Sequence, residues 1–74
     1  MLKLRIEELL EEKGMTKYRL HQRMQAISGI SYSNFNNMIK NRTKSILFRN
    51  IELLSDILEC DISDLFERVL EEEE

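Results

Sequence analysis

The chain has 74 residues and one cysteine, Cys60, so it makes a single small domain that no internal disulfide can staple. No Cys or His pair stands at ligand spacing, which argues against structural zinc and leaves packing and self-association to hold the fold. The net charge of −3 argues against an anionic partner until its distribution is seen: from Lys13 to Asn50 there are eight Lys or Arg and no Asp or Glu, whereas residues 1–12 carry −2 and residues 51–74 carry −9.

An acid-free block inside an acidic chain points to an anionic partner that meets the middle of the protein. The competing reading is a solvated basic face that interacts with the acidic ends. A lone thiol suits a reducing, cytoplasmic setting. The opening run MLKLRIEELLEEK is broken by charges every two or three positions, so neither a signal peptide nor a membrane span is expected.

Five helices are predicted in chain order. The first runs from Leu2 to Glu12, with Leu2, Ile6, Leu9 and Leu10 on one face. Gly14 ends it as a cap. Thr16 caps the second helix, which places Leu20, Met24 and Ile27 inward. Gly29 turns the chain, and Ser31 caps a third helix with Phe35, Met38 and Ile39 as its buried stripe. NRTKS is a polar loop. The fourth helix spans about Leu47 to Glu59 and buries Phe48, Ile51, Leu54, Ile57 and Leu58. Asp61 caps a fifth, with Ile62, Leu65, Phe66 and Val69 inward and Asp64 complementing the helix N-terminus. No segment alternates with period two, so the expected class is all-α. Residues 1–70 form the domain, and the closing EEEE, residues 71–74, is expected to fray.

MTKYRL at the start of helix two, GIS at the turn, SYSNFNNMIKNRTKSILF through helix three and its loop, and IELLSDILECDISDLF at the end occur in one order. In that order they resemble the lambda-repressor-like, or Cro/XRE, helix-turn-helix family of DNA-binding regulators. The resemblance covers Met15 to Phe66, and nearly the whole domain with the first helix. It implies a compact five-helix domain whose third helix enters the major groove of double-stranded DNA. Two departures stand out. His21 holds a place where the family usually has a small residue. Leu20 and Gly29 lie four residues further apart than usual, about one helical turn, so helix two is expected to be one turn longer.

Helix three is rich in Ser and Asn, poor helix formers, and its spacing sets Tyr32, Ser33, Asn34, Asn36 and Asn37 away from the apolar stripe. Asn can bond adenine through two hydrogen bonds, Ser can donate or accept, and a Tyr ring can meet a thymine methyl. The resemblance implies Ser31, Tyr32, Ser33, Asn34 and Asn37 as the base-facing set. Some of these also read as caps or solvated residues, Ser31 and Asn36 above all. The loop Lys40, Asn41, Arg42, Thr43, Lys44 and Ser45 suits phosphates by its charges and backbone N–H groups. The resemblance adds Thr16 and Lys17 at the start of helix two. Arg19 and Arg23 read equally well as ordinary exposed charges. His21 reads as a packed or surface histidine, and Cys60 as core.

No nucleophile, base and orienter are grouped, and no Gly-rich phosphate loop exists, so neither an enzyme nor a cofactor is expected. The expected function is a small transcriptional regulator of bacterial or phage type, a repressor that occupies operator DNA. A homodimer through the C-terminal helices, sharing Leu65, Val69 and Leu70, would set two recognition helices about 34 Å apart. The rivals are a protein-binding module and an antitoxin-like protein that binds both DNA and a toxin. The acidic tail is a further candidate to compete with DNA for the basic face.

Overall fold

The computed structural model describes residues 1–70. The chain starts with a short strand, β1 (Leu2–Leu4), and continues through α1 (Ile6–Lys13), α2 (Lys17–Ser28), α3 (Tyr32–Ile39) and α4 (Phe48–Leu58). A single 3-10 turn (Ile62–Leu65) then leads into β2 (Phe66–Arg68). The two strands pair antiparallel, with Leu2 opposite Arg68, Lys3 opposite Glu67 and Leu4 opposite Phe66.

The result is a mostly helical, compact domain with four α-helices, which corrects the expected five and the expected absence of strands. The first helix begins at Ile6 rather than Leu2. The run into its first residue, Leu2-Lys3-Leu4-Arg5-Ile6, alternates apolar and charged, which is a strand signal that the helical spacing of Leu2, Ile6 and Leu9 obscures. The expected fifth helix is one 3-10 turn followed by a strand. Its ends are fixed by partners distant in sequence: Arg5 N–H donates to the Leu65 carbonyl at 2.9 Å, and Val69 N–H donates to the Met1 carbonyl at 2.7 Å. A two-stranded ribbon is marginal by itself and forms here because it packs against helices.

The caps explain the helix boundaries. Gly14 and Gly29 follow α1 and α2 in the left-handed region, at φ 68° and 74°, where a side chain would be strained. Thr16 Oγ1 accepts from Arg19 N–H, and Ser31 Oγ accepts from Asn34 N–H, both at 3.1 Å. Asp61 has N-cap dihedral angles but its side chain makes no cap bond. The Asp64 N–H donates instead to the Asp61 carbonyl, which closes a 3-10 turn rather than starting an α-helix.

The core joins Leu4, Ile6, Leu9, Leu10, Leu20, Met24, Phe35, Met38, Ile39, Leu54, Leu58 and Leu65. Ile51 and Ile57 are only half-buried against it. Four residues expected inside are exposed: Leu2, Ile27, Phe48 and Ile62. Leu2 lies at the open end of the ribbon. Ile27 sits in the last turn of α2, beyond Met24, its last buried residue. Phe48 is the first residue of α4, before that helix reaches the core, and is 84% exposed. Ile62 opens the 3-10 turn.

Candidate nucleic-acid interface

The exposed side of α3 carries Ser31, Tyr32, Ser33 and Asn34, with Asn36 and Asn37 half-buried beside them. Helical spacing turns Phe35, Met38 and Ile39 to the core, which leaves the hydroxyl and amide residues outward. Ser31 is partly committed, since its Oγ caps α3. Ser33 and Asn34 are exposed. Asn34 also faces a shallow groove shared with Ser28, Met38, Thr43, Ser45 and Leu47.

Tyr32 is half exposed, and its ring is placed by neighbours. It meets His21 edge-on at 5.2 Å and Phe35 at 5.9 Å between ring centroids. Among the described residues, His21 is the one buried polar side chain, 8% exposed. Its Nε2 lies 3.0 Å from the Ile30 carbonyl. A carbonyl can only accept, so Nε2 carries the proton and donates. The histidine thus fills the space between α2 and α3 with a ring and satisfies a carbonyl of the turn that joins them. No second metal-ligating side chain is needed to account for it.

The expected phosphate contacts divide into four groups. Arg42, Lys44 and Ser45 are exposed in the loop after α3, and neither Arg42 nor Lys44 makes an ion pair among the described residues. Thr16 is exposed, but its hydroxyl serves the α2 cap. Lys17 and Lys40 both reach the same oxygen, Glu7 Oε2, at 3.8 and 2.9 Å. The hydrogen bond from Lys40 holds the Glu7 carboxyl below the usual carboxylate range, and Glu7 raises Lys40 in turn.

Asn41 turns its half-buried side chain toward β1. It takes the left-handed conformation at φ 60°. The N–H groups of Asn41 and Arg42 donate back to the carbonyls of Met38 and Asn37, which closes α3 in a Schellman motif. The Asn41 side chain bonds the backbone of Leu4. Both polar atoms of its side chain thus already bond Leu4, which leaves the second Nδ2 hydrogen and the backbone for the expected phosphate contact.

Glu7 joins this basic face although it lies outside the acid-free block. In the sequence it is one of four similar acids on α1, and nothing in their spacing singles it out. Only the packing of α1 beside the start of α2 and the end of α3 brings it to two lysines.

Residues 5–71 match the family model of the Cro/C1-type helix-turn-helix DNA-binding domain. The chain belongs to this family. No curated protein matches the chain, and no solved structure matches it. Within this helix-turn-helix domain, α2 and α3 are the pair joined through Gly29. Among the described residues, no helix is long and apolar enough to cross a membrane.

Proposed function

We propose that this helix-turn-helix protein is a sequence-specific transcriptional regulator, a repressor that occupies operator DNA with α3 in the major groove. One observation carries the reading: an acid-free stretch of 38 residues presents Ser33 and Asn34 outward on α3 and the exposed Arg42 and Lys44 just behind them. Ser33, Asn34 and Tyr32 contact base edges, with Ser31 and Asn37 at the margins. Lys17, Lys40, Arg42, Lys44 and Ser45 meet phosphates, which position the domain without specifying sequence. Thr16 and Asn41 contribute through the backbone geometry they hold. The reading keeps α2 about one turn longer than the family's usual second helix, in line with its unbroken course from Lys17 to Ser28.

The test is the anisotropy of a labelled mixed-sequence duplex titrated at two salt concentrations, beside a variant with Lys40, Arg42 and Lys44 changed to Ala. Binding that falls steeply with salt, with a shallower slope in the variant, supports the reading. No binding at low salt overturns it.

A homodimer remains part of this proposal, with its surface revised. Leu65 is fully buried within one copy and cannot be shared. Met1, Leu2 and Leu70 are exposed near one end of the ribbon and are the apolar residues available there. The protein-binding reading has one observation in its favour, the exposure of Ile27, Leu47 and Phe48 around the α2 end and the α4 start. Single exposed apolar residues are common, so this reading ranks second. The acidic tail, residues 71–74, lies outside the described residues.

A further inference from the structure

Lys17 opens α2 and Lys40 follows α3, so the two are far apart in sequence and belong to the two elements of the helix-turn-helix. Their ammonium groups nevertheless converge on one oxygen of Glu7, a residue in the first turn of α1. The three side chains are all partly exposed, with 52% of the Glu7 side chain and 33% and 37% of the lysines open to solvent. Among the described residues, no other side chain bonds this carboxylate. A carboxylate and a phosphodiester each carry one negative charge and accept hydrogen bonds through oxygen. Two ammonium groups that converge on a carboxylate oxygen are therefore also arranged for a phosphate oxygen.

We propose that Glu7 is a built-in phosphate substitute: in the free protein it occupies the backbone-phosphate position that Lys17 and Lys40 form, and DNA must displace it to bind. This rests on the DNA-binding reading above. Displacement is feasible because an exposed ion pair is worth little in water. Its consequence is selectivity against loose electrostatic association. Glu7 engages both ammonium groups and balances one of their two charges, so the pair is fully released only when a phosphate is held at the right place. Arg42 and Lys44, with no ion pair among the described residues, keep the initial attraction.

The experiment compares duplex affinity at low salt for the wild type, Glu7→Gln, Glu11→Gln and Lys17→Ala/Lys40→Ala, and for the last with Glu7→Gln added. Glu11 is an exposed acid on the same helix with no ion pair among the described residues, and it controls for the loss of one negative charge. Glu7→Gln is expected to tighten binding about three- to fivefold, the size of an exposed ion pair. Glu11→Gln is expected to have a smaller effect, and the Glu7→Gln gain is expected to vanish when both lysines are absent. Equal gains from Glu7→Gln and Glu11→Gln, no gain at all, or a gain that persists without the lysines would each overturn the proposal. If every protein, Glu7→Gln included, ignores the duplex, the DNA-binding reading itself falls, and the gate falls with it.

Discussion

The side chain of Asn41 brackets the backbone of Leu4: Leu4 N–H donates to Oδ1 at 2.8 Å, and Nδ2 donates to the Leu4 carbonyl at 3.1 Å. The amide stands in for a neighbouring strand. It satisfies the edge of β1 that faces away from β2, and it ties the end of α3 to the ribbon 37 residues earlier in the chain. The left-handed backbone that closes α3 is what aims this side chain inward, and Asn tolerates that conformation better than other residues with a Cβ.

Asn41→Gly keeps the backbone conformation and removes both bonds. It should destabilise the domain by about 1–2 kcal/mol, with Asn41→Ala worse by about 1 kcal/mol because Ala resists the left-handed region. Urea unfolding followed by circular dichroism measures both. Well below the melting temperature, Asn41→Gly should bind duplex as tightly as the wild type. A large loss of affinity in the folded variant would return this side chain to a phosphate.

His21 contributes a ring to the contact of α2 with α3 and a donor to the Ile30 carbonyl. His21→Ala removes both and should cost about 2–4 kcal/mol, from the lost packing and the unpaired carbonyl. His21→Phe restores the ring only, so it should recover part of that loss. The expected protonation on Nε2 is checked directly by the nitrogen shifts of the imidazole in nuclear magnetic resonance. A proton found on Nδ1 alone would remove the hydrogen bond from the account.

Phe48 and Leu54 lie on the same helix with opposite burial, 84% exposed against fully buried. Leu54→Ala should cost about 2–5 kcal/mol. Phe48→Ala should stay within about 0.5 kcal/mol of the wild type, as surface changes usually do. If Phe48→Ala destabilises in a concentration-dependent way, the residue is covered by a second copy, and sedimentation velocity would then show a dimer.

The Glu7 carboxyl is held below its ordinary value by Lys40 and then Lys17. A lowered folded value means that its ion pairs stabilise the native state above the unfolded carboxylate value, about pH 4.3, and that the contribution fades as pH falls through the folded value. The urea midpoint of the wild type should therefore exceed that of Glu7→Gln near neutral pH, by a small margin, and the two should merge in acid. A gap that widens as pH falls would contradict the assignment.

The helix-turn-helix was legible in the sequence for local reasons. Thr16, Ser31, Gly14 and Gly29 are capping residues whose effect depends on their own backbone and the next turn. Leu20, Met24, Phe35, Met38 and Ile39 follow the helical period, and all of them are buried. The ends of the chain were not legible because two patterns coexist there. Leu2, Leu4 and Ile6 alternate, while Leu2, Ile6 and Leu9 keep helical spacing, and only pairing with the distant strand Phe66–Arg68 favours the first pattern.

What the sequence determined by itself is the set of features written in neighbouring residues: the helix starts and stops, the apolar stripe of α3, the amide-rich outer face and the acid-free basic block. What only the tertiary structure decided are the pairings between distant residues. The ribbon of β1 with β2, the turn of Asn41 onto Leu4, the ring of His21 under Tyr32, and the meeting of Lys17 and Lys40 at Glu7 all join different elements. Their side chains have no local preference for these partners. The partners are brought within hydrogen-bond reach only when burial of the apolar stripes fixes how the helices pack.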